Sequence, residues 1–270
     1  MKKNENAPTF ISGLGFHKLA KWSVCPRYPQ RLEPANFEEG DIVFLNLEYF
    51  YVFLDFLRQH PPASRFILIT HNSDKCFDDN YYHMIQHVVT KVYALNGIST
   101  NPNVIPIPIG YRDHPYSTTD ILVSVPRMEK SILLYMNFEL NTNMEKRTIC
   151  MNHFMKYPWV VKEGFLKKDA LPLFEFYKKM AQSKFVLSPE GTGIDCHRIY
   201  EAIYLNAIPI IKRIGNPTMD NFYSKLPLLI VDDWSEITDV FLETNYERLY
   251  DNLVKWKENN PNWLEASFWL

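Results

Sequence analysis

Along this chain, short continuous apolar runs alternate with longer segments whose apolar residues recur every three or four positions. Ile42–Leu45 is a short apolar run, and the segment after it keeps a helical period until Pro61 and Pro62 must end it. The run RFILIT at 65–70 is β-branched and aromatic throughout, the pattern of a strand buried on both faces, and it opens into the polar loop HNSDKCFDDN. A helix over about 80–89, a strand KVYAL at 91–95 and the run NVIPIPIGY complete this alternation. After 112–129, which has no strong period and two prolines and reads as a linker, the pattern restarts. Strands are expected at SILLYM, WVV, KFVLS, AIPIIK and LPLLIV, with helices at MEKRTICMNHFMK, LPLFEFYKKMAQS and 196–206.

Alternating strands and helices predict parallel sheets, so the fold class expected is α/β in two successive units. The boundary is set between 120 and 121: residues 1–120 form the first domain and 121–270 the second. Residues 1–36, with CPRYPQRLEP, read as an irregular arm of the first. At 270 residues either half can bury its own core.

Composition narrows the function classes. Hydrophobic residues make up 46% and aromatics 15%, which belongs to a globular chain. With 29 basic and 31 acidic residues the formal net charge is −2, so no basic surface marks nucleic acid as a partner. Cys25, Cys76, Cys150 and Cys196 have no metal-ligand spacing and read as reduced thiols. MKKNENAPTF lacks the apolar core of a leader, and no stretch approaches the roughly 18 apolar residues of a membrane span. The expectation is a soluble, cytoplasmic protein without a transmembrane segment.

The densest chemistry lies in SPEGTGIDCHRIYEAIYLNAIPII, a loop leaving one strand, entering a helix and ending in another buried strand. In a parallel sheet such a turn is the usual place for a ligand. Gly191 and Gly193 read as positions of positive φ and close backbone approach, and Asp195 as the helix N-cap. Arg198 and Glu201 share one helix face. A guanidinium suits a diphosphate and a carboxylate suits the paired hydroxyls of a ribose, so the pattern points to a nucleoside diphosphate site. The bland reading is an Arg198–Glu201 pair beside a simple turn. GxxxxGK[ST] and GxGxxG are both missing.

The stretch KFVLSPEGTGIDCHRIYEAIYLNAIPIIKR resembles the C-terminal sugar-nucleotide motif of exostosin-like glycosyltransferases: a strand, a Ser-Pro-x-Gly loop, a His-Arg pair, a Glu-Ala pair and a small-Ile-Pro strand. ILLYMNF…R and ITHNSD are compatible with it. The resemblance implies the GT-B plan, two Rossmann-like domains with parallel sheets facing a cleft, the first binding acceptor and the second donor. The size resembles compact virus-type members such as xylosyltransferases of large algal viruses. Carried onto this chain, it gives Glu201 the donor ribose, and Arg198 with the backbone of Gly191 and Gly193 the diphosphate. Ser188 stands in the loop, Glu190 and His197 line the nucleotide or sugar pocket, and Asn137 and Arg147 supply phosphate or sugar contacts. Asn206 stands where relatives often have Gly; Asn tolerates the left-handed conformation, which still permits a helix end there.

The implied activity is transfer of a sugar, with xylose one option, from a nucleotide-sugar donor, a UDP-sugar favoured, to a glycan or glycoprotein acceptor. Inversion needs a base for the acceptor proton and positive charge for the leaving diphosphate. The base is expected from the first half: Asp74, then His71, then Glu48, with Asp78 and Asp79 in the same loop. Catalysis is assigned to Asp74, His71 and Arg198. No DxD occurs, so no metal or other cofactor is expected. Two rivals remain: a noncatalytic carbohydrate- or partner-binding module, and a phosphotransferase, against which the missing phosphate loop counts.

Overall fold

The computed structural model describes residues 10–113 and 118–270. The chain folds as two compact units, divided before Thr118. The last segment, Pro261–Leu270, returns to the first unit, as do Pro217–Met219.

The first unit contains β1 (Trp22–Val24), β2 (Ile42–Asn46), β3 (Phe66–His71), β4 (Val89–Leu95) and β5 (Val104–Ile107). All neighbours pair in parallel, in the order of the chain. Side chains alternate across a strand, so Val43, Leu45, Leu68 and Val92 pack on one face with Phe50, Phe53 and Leu57 of α2 (Phe50–Gln59). Phe44, Ile69 and Tyr93 turn to the other face. There they meet Phe16 of α1 (Gly13–Leu19) and Ala266 of the closing segment. The both-face burial expected of RFILIT is thereby met. The arm over 1–36 is a different matter. Its described part contains α1 and β1, and β1 takes its hydrogen bonds from β2, whose sequence lies about 20 residues on. The helix over 80–89 is shorter than expected, α3 (Asp79–Ile85), because strand pairing with Phe66 already begins at Val89.

Within the 112–129 linker, the described residues include α4 (Thr119–Ser124), anchored by fully buried Leu122; positions 114–117 lie outside the described residues. The second unit follows with β6 (Ile132–Asn137), α5 (Met144–Phe154), β7 (Val160–Glu163), α6 (Leu173–Ala181), β8 (Ser183–Leu187), α7 (His197–Tyr204), β9 (Ile208–Lys212), α8 (Pro217–Tyr223), β10 (Leu229–Val231) and α9 (Asp239–Asn259). Its parallel sheet has the order β10-β9-β8-β6-β7. The chain leaves β6 for β7 on one side, then returns across β6 to build β8, β9 and β10 on the other. The strand order therefore reverses between β6 and β8, and their carboxyl ends flank the crevice where ligands bind in such sheets. At the end of α7, Asn206 has φ +56°. Ala207 N–H donates to the Ala202 carbonyl at 2.9 Å, and Asn206 N–H to that of Ile203 at 3.2 Å, the paired bonds of a left-handed helix stop.

Candidate functional site

Two loops leave the carboxyl ends of β6 and β8, and polar contacts join them. Asn143 caps α5 and donates its amide to the Gly191 carbonyl at 2.9 Å. Thr192 donates to the Thr142 carbonyl at 3.1 Å, and Lys146 pairs with Glu190 at 2.6 Å. Arg147, nearly fully buried, donates from Nε to the Glu190 carbonyl at 2.9 Å and from a terminal nitrogen to that of Glu139 at 2.7 Å. A Cβ on Gly191 would lie 3.0 Å from the Arg147 guanidinium. Gly191 does not take the left-handed φ expected of it. Its missing side chain makes room for Arg147.

A second guanidinium lies beside the first. Arg147 Cζ is 5.6 Å and Arg198 Cζ 6.0 Å from the centre of the Phe138 ring, immediately after β6. Burial, and next the neighbouring Arg198 charge, pull the Arg147 pKa down to about 10. The Arg198 Nε is buried without a hydrogen-bond partner among the described residues. An orphaned buried donor beside a repelling like charge is costly, and an anion would relieve both.

The other expected site residues divide between open and structural positions. His197 opens α7 and is partly exposed. Glu201, one turn further and buried, accepts from the Tyr177 hydroxyl at 2.8 Å. Ser188 extends β8 by donating its N–H to the Ile210 carbonyl at 2.8 Å, and its hydroxyl faces the Val186 carbonyl at 3.4 Å. Asn137 donates to the Tyr135 hydroxyl at 3.0 Å beneath Gly164, whose φ is +71° and where a Cβ would come within 2.7 Å of the Asn137 amide. Asp195 is not the helix cap expected: the N-cap position belongs to Cys196, which offers no side-chain bond. The buried Asp195 carboxylate accepts from Tyr200 at 2.7 Å and Tyr223 at 3.0 Å, and from the Cys196 N–H at 3.0 Å. Burial, and next the Asp195 charge, push both phenol pKa values well up. Asp195 therefore braces α7 to α8.

Next to the loops lies a cavity of about 210 Å³, lined by Ser188, Glu190, Ile194, Ile211, Ile214 and Trp234 among others. Its walls are mostly apolar with polar groups at the strand ends, the composition of a small-molecule pocket. Phe138, Asn143 and Lys146 were not singled out in the sequence. Phe138 lies within the MNF run, but a single aromatic after a strand reads as core.

In the first unit the candidates after β3 also separate. His71 is fully buried; its Nδ1 accepts the Asn72 N–H at 2.9 Å, so Nε2 carries the proton toward the Pro108 carbonyl at 3.2 Å. With both nitrogens engaged and burial lowering its pKa, His71 ties the end of β3 to the Pro108 carbonyl. Asp78 caps α3, and Asp79 accepts from Ser99 and Thr100. Glu48 pairs with Lys75 at 2.8 Å and accepts from Ser73 at 2.8 Å, which lowers its pKa. The exposed Asp74 carboxylate makes no hydrogen bond or ion pair among the described residues, and partial desolvation, then the Glu48 charge, raise its pKa. Among the described residues no three His, Cys, Asp or Glu side chains gather as a metal site.

Residues 135–268, just under half of the chain, match the family model described as the RXYLT1 C-terminal domain. No curated protein matches the sequence. Among solved structures, the chain is similar to an α,α-trehalose-phosphate synthase (UDP-forming) from Burkholderia vietnamiensis: 8% identity, TM-score 0.48, 86% of this chain and 70% of that one. It is similar also to the pneumococcal O-GlcNAc transferase GtfA in complex with UDP and GlcNAc: 12% identity, TM-score 0.38, 87% and 53% covered. A third is the DNA-modifying β-glucosyltransferase, at 12% identity and TM-score 0.37, with 87% and 82% covered. The family match contains Arg147 and the whole glycine loop, so the second half of the chain is similar to a RXYLT1 C-terminal domain.

Proposed function

We propose that the protein transfers a sugar from a nucleoside diphosphate donor, a UDP-sugar and in particular UDP-xylose, to a glycan or glycoprotein hydroxyl, with inversion and without a metal ion. The observation that supports this is the Arg147–Arg198 pair at the β6/β8 crevice, with one guanidinium N–H unpartnered. As the glycosidic bond breaks, negative charge grows on the diphosphate, and two fixed cations in a partly dry site stabilise it. Glu201 takes the ribose hydroxyls, and the 210 Å³ cavity takes the base. Asp74 of the first unit is the general base. Its raised pKa makes it a stronger acceptor of the hydroxyl proton than an ordinary carboxylate.

A screen of UDP- and GDP-sugars for slow hydrolysis, then for transfer, tests this reading. Turnover of a UDP-sugar that survives EDTA supports it. Binding of glycans with no turnover of any donor would replace it with a noncatalytic module. No described helix is long and apolar enough to cross a membrane.

A further inference from the structure

We propose that Phe138 is a positioning residue for the reaction: its ring holds Arg147 and Arg198 together while leaving both charges uncompensated for the donor's diphosphate. The inference rests on the proposed function of that arginine pair.

Two guanidinium groups repel, and a protein commonly resolves such a clash with a carboxylate between them. Here the hydrogen-bond partners of Arg147 are neutral, and the Glu139 charge acts on it less than burial and Arg198 do. Arg147 donates to two backbone carbonyls, those of Glu139 and Glu190, and lies over the Phe138 ring. Both residues that lend those carbonyls carry carboxylates, yet the hydrogen bonds are made by their backbones. The Glu190 carboxylate is instead paired with Lys146. A carboxylate in the place of the ring would cancel one positive charge and weaken the site for anions.

An aromatic face attracts a cation through its quadrupole without carrying net charge. Phe138 can therefore offset part of the repulsion while the site keeps its full positive charge. The ring is itself fixed: it is buried, and it meets Phe165 edge-on with centroids 5.7 Å apart. Its position directly after β6 ties the arginines to the strand end and not to a loop tip. Fixed donors need no rearrangement when charge develops, which is how such groups accelerate a reaction.

The test replaces Phe138 in the full chain with 4-fluoro- and then 3,4,5-trifluorophenylalanine. These keep the ring's shape while draining its negative face. Affinities for UDP and for inorganic pyrophosphate are measured by calorimetry, and donor turnover alongside. Affinity for both probes is expected to fall stepwise, to about one tenth for the trifluoro ring, and the unliganded protein to melt slightly lower, because the ring offsets part of the repulsion there too. Phe138→Leu, which removes the ring's quadrupole altogether, should lose at least as much. A flat fluorination series in a protein that binds UDP and loses it on Arg198→Met would overturn the role of Phe138 alone. Failure of the unmodified protein to bind either probe would overturn the diphosphate reading and this inference together.

Discussion

Replacing Arg198 by Met should move stability and activity in opposite directions. Met keeps much of the apolar stem and has a similar helix propensity, so the change removes mainly charge and donors. In the unliganded protein the buried Nε has no partner, and an unsatisfied donor of this kind costs about 1–3 kcal/mol. Its removal also relieves Arg147, whose pKa should rise from about 10 toward the ordinary arginine range. Against this stands one lost contact with Phe138, worth about 0.5–2 kcal/mol. These two alone leave between about 1 kcal/mol lost and about 2.5 kcal/mol gained, and the relief of Arg147 moves the expectation toward added stability, a melting temperature higher by up to about 5–10 °C. Turnover of the donor should fall by about 10²–10³, the usual cost of losing a preorganised donor at a developing oxyanion. Thermal melts with and without UDP, beside a UDP-release assay, read both quantities. A variant that loses more than about 2 kcal/mol of stability and binds UDP as before would make Arg198 a packing residue and refute the reasoning.

Glu201→Gln keeps an oxygen for the Tyr177 hydroxyl but loses the charged acceptor, so calorimetry should show weaker UDP binding with pyrophosphate affinity unchanged; an equal loss for both removes the ribose role. Asp74→Asn should depress transfer more than tenfold at near-normal UDP affinity. Because the Glu48 charge helps raise the Asp74 pKa, Glu48→Gln should shift the acid limb of the pH–rate profile to lower pH, and an unmoved limb argues against Asp74 as the base. Asp195→Asn should destabilise the second unit by about 2–3 kcal/mol in urea melts, since an amide cannot accept all three of the buried bonds from Tyr200, Tyr223 and Cys196; a variant as stable as the parent contradicts the brace.

Local pattern was enough to read the strand cores and the loop that joins β8 to α7. β3 and β8 are legible because a strand buried on both faces must be apolar at every position. The glycine loop is legible because its residues are contiguous, so one strand end and one helix start bring Glu190, His197, Arg198 and Glu201 near each other. Asn206 belongs to the same class: a residue at a helix end that tolerates positive φ predicts the stop, and φ +56° is found.

Pairing across the chain decided the rest. The three residues of β1 have no signal of their own and become a strand only because β2 offers them an edge. The closing segment returns to the first unit because Ala266 completes the second face of the β3 layer. Asp195 had the local features of a helix cap, yet two buried phenols 5 and 28 residues away captured its carboxylate. The contact of His71 with the Pro108 carbonyl, 37 residues away, likewise came from pairing across the chain. The arginine pair is the clearest case. The sequence alone determined that Arg198 sits at a helix entrance. Placing Arg147 next to it required the reversal of strand order between β6 and β8, which brings residues 51 positions apart onto one phenylalanine ring. Periodicity reports which face of an element is buried; only the sheet order determines which buried faces meet.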